Sequence, residues 1–237
     1  MKKVIGVVQA VCMGTPRAFL RPGTTSAILK TAVHVPVKVG FTGLQGDEQA
    51  DRRLHGGLDK AVHIYPSEHY AQWQQYTRYP SANLMSHGAL GENLSTTGLS
   101  ELTICMGDRL SIGSVMLEVT QTRQPCWKIN DRSGIPDLAQ QMQIYRKTGF
   151  YCRVLQPGVI AAGDVITLNE RPYPDWSLHR MLLLLYHSPL DQNELKSALN
   201  LPLVDRWRTM FEHRLETSSV ENWSARLAGP QRYEPTL

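Results

Sequence analysis

Residues 109–119, RLSIGSVMLEV, decide the fold. Gly113-Ser114 separates two short runs in which apolar and polar residues alternate, the pattern of a β-hairpin closed by a two-residue turn. Along the second run Val115, Leu117 and Val119 share one face, and Met116, Glu118 and Thr120 the other. A strand of this kind lays one face against a core. If the alternation persists past Val119, the strand delivers Arg123 and then Cys126 to one end of the sheet, where barrels keep their openings.

The same vocabulary extends in both directions. VIGVVQAV (4–11), SAILKTAVHV (26–35), VPVKVG (35–40) and GFYCRVLQPGVIAAGDVITL (149–168) are β-branched runs set between glycine-rich turns. Two helices interrupt them, one after Pro66 (SEHYAQWQQYTR) and one after Pro136 (DLAQQMQIYRKT), each with proline near its first turn. Beyond residue 170 the text turns helical. SLHRMLLLLYH is followed by Ser188-Pro189, a cap and first-turn pair for LDQNELKSALN, and then by a third helix with Leu203, Val204, Trp207, Met210, Phe211 and Leu215 on one stripe. The sequence is therefore read as mainly β with helices: a β-barrel-like domain over residues 1–170, and a C-terminal three-helix bundle over 171–237 hinged at RPYP (171–174). Packing or homodimerisation is the simplest role for the bundle.

Composition closes several routes. A chain of 237 residues, 42% hydrophobic, buries a large core. Its 25 Lys+Arg against 21 Asp+Glu give +4, spread along the chain with no basic stripe, so no nucleic-acid polymer is expected as a partner. The four cysteines, at 12, 105, 126 and 152, lack the paired spacing of a structural zinc site. Cys12, Cys105 and Cys152 sit inside apolar strand text, where free cysteine acts as a small hydrophobe, and a reducing compartment suits them. The opening MKKVIGVVQAVCMGT imitates a secretory signal, but Gly6 and Gln9 interrupt it and it reads as a first strand. MLLLLY (181–186) is too short to cross a bilayer, and a cytoplasmic protein is expected.

Three clusters mix glycine with hydrogen-bonding groups. The first, GLQGDEQADRRLHGGLDKAVHIY (43–65), crowds Asp47, Arg52, Arg53, His55, Asp59 and Lys60 among four glycines. Adjacent glycines there can turn backbone N–H groups toward an anion, although the spacing is neither that of a Walker loop nor of a dinucleotide fingerprint. His63, alternating with Val62 and Ile64, reads as a satisfied strand residue. The second, GALGENLSTTG (88–98), holds Glu92 and Asn93 in a turn. The third, TRQPCWKIN (122–130), sets Cys126 between Pro125 and Trp127 with Arg123, Lys128 and Arg132 nearby. From the residues alone that thiol is a core residue, half of a disulfide, or a ligand for a soft metal.

GDEQADRRLHGGLDKAVHIYPSEHY, GENLSTTGL, MGDRLSIG and QTRQPCWKIN, in that order, resemble the signature blocks of the MOSC domain, most closely its bacterial YiiM group, which carries a three-helix C-terminal extension. One departure is visible: where the family usually has proline after His-Gly-Gly, this chain has Leu58. The resemblance implies a MOSC β-barrel that holds a molybdenum cofactor through its pterin phosphate and its metal, with Cys126 as the protein's sulfur on molybdenum. It implies reduction of N-hydroxylated compounds, hydroxylaminopurine and related base analogues among them, to amines. On that basis Arg53, Lys60 and Arg123 are candidates for the cofactor phosphate and Asn93 for a pterin edge. His55 is a candidate for cofactor binding or proton donation, and Cys126 for catalysis. Glu92 is expected to order its loop. An external electron-donating reductase is implied as partner, since no cysteines remain for an iron–sulfur cluster. Two rivals stand beside this reading: a sulfur or cofactor carrier using Cys126 as a persulfide, and a non-enzymatic binding module.

Overall fold

In a computed structural model of the chain, which describes residues 2–51, 56–76 and 86–230, Val115 pairs with Ile112 and Leu117 with Leu110. Gly113 and Ser114 thus form the expected two-residue turn, with Gly113 at φ +55°. Arg53 and His55, both expected at the site, lie outside the described residues.

The strands are β1 (Lys3–Met13), β2 (Arg17–Ala18), β3 (Thr25–Ser26), β4 (Thr31–Val33), β5 (Val37–Gly40), β6 (Gly43–Leu44), β7 (Val62–Pro66), β8 (Leu94–Thr97), β9 (Arg109–Ile112), β10 (Val115–Thr122), β11 (Phe150–Gln156), β12 (Gly158–Ile160) and β13 (Val165–Glu170). The helices are α1 (Glu68–Tyr76), α2 (Trp127–Ser133), α3 (Leu138–Ile144), α4 (Leu178–Tyr186), α5 (Gln192–Ala198), α6 (Asp205–Thr217) and α7 (Ser224–Ala228). The main sheet runs β13-β9-β10-β11-β7-β8-β1-β4, and pairing of β13 with β1 closes seven of these strands into a barrel. All its pairings are antiparallel except β7 with β8. Closure depends on β1, whose register shifts twice, between Val4 and Gly6 and between Val8 and Ala10. At Gly6 a Cβ atom would lie 2.3 Å from the Thr97 carbonyl oxygen, so only glycine allows β8 to approach there.

Two cores hold the molecule. The larger fills the barrel with Val11, Ile64, Leu94, Leu110 and Leu117 and continues into the helices through Met181, Leu185, Trp207 and Phe211, so the extension packs on the barrel through one continuous apolar interior. The smaller gathers Tyr65, Trp73 and Leu90 with Ile129, Leu138 and Met142 under α1, α2 and α3. By burying Ile129 it fixes the helix that begins one residue after Cys126.

Several details depart from the sequence reading. The alternation in β10 holds through Val119, then a bulge between Val119 and Gln121 shifts the register, and Thr120, Gln121 and Thr122 are all buried. Pro66 ends β7 and does not open α1. Asp191, and not Ser188, caps α5: its carboxylate accepts from the N–H groups of Asn193 and Glu194, while the Ser188 N–H still donates to Leu183 of α4. RPYP is anchored at its first residue, where Arg171 grips the fully buried Asp108 with two hydrogen bonds of 2.9 and 2.7 Å and also donates to the Thr103 carbonyl. A fourth short helix, α7, follows the three expected ones.

Candidate functional site

Cys126 stands where β10 has ended and α2 begins. Its backbone is extended, it occupies the N-cap position, and its side chain caps no backbone N–H, so the thiol is not consumed by the helix. Of the four free cysteines it alone is not buried. The three buried thiols behave as the compact hydrophobes read from the sequence, and burial pushes the Cys12 thiol up to about 12.

Around Cys126 the barrel end assembles an inner cavity of about 80 Å³, to which Lys60, Asn93 and Arg123 also contribute. The four expected site residues within the described chain are thus brought together from three distant segments. Lys60 closes the 3₁₀ turn Leu58–Lys60, which forms with leucine at its first position: the Lys60 N–H donates to the Gly57 carbonyl at 3.1 Å. Lys60 Nζ lies 5.7 Å from the centre of the Tyr151 ring. Burial, and then the nearby Arg206, pull its ammonium down to about 8. Arg123 extends the β10 edge, its N–H donating to Gly149 at 3.0 Å, and its guanidinium reaches the Leu90 carbonyl.

Asn93 is engaged in the framework. Its Oδ1 accepts from the His63 N–H at 3.1 Å and its Nδ2 donates to Asp47 Oδ2 at 2.9 Å. Asp47 also pairs with buried Lys30. Glu92 orders the loop beneath: fully buried, it accepts from the N–H groups of Gly88 and Leu90, from Ser95 Oγ, and from the Tyr70 hydroxyl.

Three wall residues were not singled out from the sequence for this site. His63, read as a satisfied strand residue, lines the inner cavity. Its Nδ1 lies 3.4 Å from the Gly91 carbonyl, while its Nε2 makes no well-formed hydrogen bond among the described residues, the Thr148 carbonyl lying near enough to favour a ring proton. Burial, reinforced by Arg123, keeps the imidazole neutral at pH 7. Tyr151 sits opposite His63 in the β7–β11 register, with ring centres 4.8 Å apart. Lys30 had one faint signal, a lysine inside the apolar run SAILKTAVHV.

Outside this cavity lies a second chamber of about 420 Å³, whose walls include Asp51, Lys60, Cys126, Lys128 and Tyr151 from the first. Its far wall is made by the helical extension through Arg206 of α6 and Ala225 and Arg226 of α7. The packing role expected of the extension is therefore joined by a direct share in the site. A strap, residues 224–230, holds this wall in place. Arg226 donates to the Pro125 carbonyl at 2.5 Å, Asn130 Nδ2 to the Leu227 carbonyl at 3.3 Å and Arg21 to the Ala228 carbonyl at 2.6 Å. At Gly229, φ +68°, a Cβ would stand 2.4 Å from Trp127 Cγ, so the strap lies flat on the ring that follows Cys126.

Among the described residues no three His, Cys, Asp or Glu side chains cluster to hold a metal ion. Nor is any described helix long and apolar enough to cross a membrane.

Comparison with known proteins agrees with this fold. The MOSC domain model matches residues 51–167, and the model of the YiiM-like, 3-alpha helix domain matches residues 176–218. Protein YiiM of Escherichia coli (strain K12) is 38% identical over 210 residues, covering 87% of this chain and 92% of that protein. A Gibberella moniliformis protein named "Reductase" is 37% identical over 195 residues, covering 82% of this chain but only 34% of its own length. The crystal structure of YiiM from Geobacillus stearothermophilus superposes with a TM-score of 0.73 at 32% identity, over 91% of this chain and all of that one. The chain belongs to the MOSC family, in the YiiM-like group that adds a three-helix domain after the barrel.

Proposed function

We propose that this protein is a molybdenum-cofactor-dependent oxidoreductase that reduces N-hydroxylated compounds to amines. The observation that carries the reading is the placement of Cys126, the one cysteine that is not buried, in the wall shared by the inner cavity and the outer chamber. MOSC domains are associated with molybdenum cofactor binding in general, and a relative named as a reductase supports an oxidoreductase-type role.

The residues present fit such a group. A thiolate is a soft anionic donor suited to a metal already bound by sulfur, and serine would be a far poorer one. Lys60, Arg123 and Lys128 supply cations for a pterin phosphate, with charge-assisted bonds. The inner cavity is too small for a pterin, whereas the outer chamber, at about 420 Å³, falls in the range of about 300–1,000 Å³ typical of small-ligand sites. When bound, the cofactor supplies the two electrons that break the N–O bond.

The remaining steps belong to this chain. Conversion of R–NHOH to R–NH₂ and water consumes two electrons and two protons. Lys60 Nζ, with its proton affinity lowered to about 8, exchanges a proton near neutrality far more readily than an ordinary lysine and faces both cavities. His63, held neutral, donates a hydrogen bond from its ring and does not act as a cation. Asn93 and the Lys30–Asp47 pair hold the floor rigid. An external reductase that supplies the electrons is part of the same proposal. The test is anaerobic reduction of hydroxylaminopurine with a reduced dye. Protein from a cofactor-competent host is expected to turn over and Cys126→Ser to be inactive. Equal rates for the two would overturn the assignment.

A further inference from the structure

The helical extension is attached to the barrel in two different ways. Its first three helices, α4 to α6, share the barrel's apolar interior through Met181, Leu185, Trp207 and Phe211. The strap that follows does not, since no residue from Ser224 to Pro230 is buried. Its hold on the body is polar: Arg226 donates to the Pro125 carbonyl, Asn130 to the Leu227 carbonyl, and Arg21 to the carbonyls of Ala228 and Pro230. Gly229 adds its flat contact with the Trp127 ring, over which Arg21 also lies. A segment held by a few hydrogen bonds, with little apolar burial, opens locally at far lower cost than a domain unfolds. What the strap covers gives that opening a consequence. Ala225 and Arg226 stand in the same chamber wall as Cys126 and Trp127, and the carbonyl that Arg226 holds belongs to the peptide bond leading into Cys126. Gln121 of β10, Tyr151 of β11 and Arg206 of α6, elsewhere in that wall, stand on elements tied into the core. The strap can therefore leave while they stay.

We propose that residues 224–230 are a gate. Closed, they wall one side of the chamber and hold the Pro125–Cys126 peptide in place; open, they uncover Trp127 and let solutes reach the Cys126 thiol, while the barrel and α4 to α6 keep their shared core. What passes the gate rests on the reductase reading, but the gate itself is tested on metal-free protein.

Hydrogen exchange and thiol labelling of the full-length, metal-free protein test it together. In wild type the amides of residues 224–230 are expected to exchange at least about a hundredfold faster than those of α4. Labelling of Cys126 by a bulky maleimide, read on its own peptide by mass spectrometry, should follow that opening and not global unfolding. Gly229→Ala lies outside the chamber wall, sets a methyl group against Trp127 and asks alanine to hold φ +68°, so it favours the open form. A loss equal to about one hydrogen bond multiplies the open population, and with it both rates, about tenfold. Strap amides as slow as those of α4 in wild type would make the strap part of the rigid body and end the proposal. Strap amides that quicken in Gly229→Ala while Cys126 labelling stays at the wild-type rate would end it too, because the chamber is then entered elsewhere. Wild type that binds no molybdenum would overturn the reductase reading and leave both rates as they stand.

Discussion

Replacing Arg21 with methionine should cost more stability than any exposed substitution in this chain. Arg21 and Asp131 are only 7% and 9% exposed, and form a fork of 2.6 and 3.0 Å between Nε and Oδ2 and between Nη2 and Oδ1. The remaining nitrogen, Nη1, donates to the Ala228 carbonyl at 2.6 Å and to the Pro230 carbonyl. The guanidinium also lies 4.3 Å above the Trp127 ring. One side chain therefore joins the loop after β2, the helix that starts at Trp127, and the strap. Methionine preserves most of the apolar stem but leaves the Asp131 charge without its fork, a loss of about 3–5 kcal/mol for a buried pair. Against a typical total of about 5–15 kcal/mol that is a large fraction. The double variant Arg21→Met, Asp131→Leu removes both charges and should recover part of the loss. Urea unfolding at pH 7 followed by circular dichroism measures both. If Arg21→Met falls within about 1 kcal/mol of the parent, or if the double variant costs the sum of the singles, the buried pair is not what holds these segments.

Glu92→Ala removes four hydrogen bonds to one buried carboxylate and leaves two backbone N–H groups and two hydroxyls without it. A loss of more than about 3 kcal/mol is expected by the same unfolding measurement. Lys60 should make stability pH-dependent in the alkaline range. Its folded value of about 8 lies below the unfolded 10.5, so between these the unfolded chain binds more protons and stability rises with pH. Lys60→Met should flatten that rise, read as urea midpoints at pH 8 and pH 10.

The barrel was legible because its strands announce themselves locally: alternation in RLSIGSVMLEV, a glycine at the turn, β-branched runs between glycines. The bulge after Val119 was not, since it arises from pairing with β11 and leaves no mark in β10 itself. Asp191 lost to Ser188-Pro189 at the sequence level because both are good starts, and the choice was made by where α4 ends. At the candidate site, glycine-rich or proline-flanked clusters marked out Cys126, Arg123, Lys60 and Asn93, and only the MOSC resemblance gave them roles. His63 was hidden by strand alternation that looked satisfied, and its role depends on the cavity beside it. That Arg206 and Arg226 line the outer chamber was unreadable, because a cation on a helix lines a cavity only when the extension folds back over the barrel.

The most direct test is elemental analysis for molybdenum on full-length protein purified from a cofactor-competent host, wild type beside Cys126→Ser. Wild type should carry metal approaching one per chain and the serine variant little, with both equally folded by circular dichroism. Equal molybdenum in the two proteins, or none in wild type from cells with ample cofactor, would contradict the placement of the metal on that sulfur.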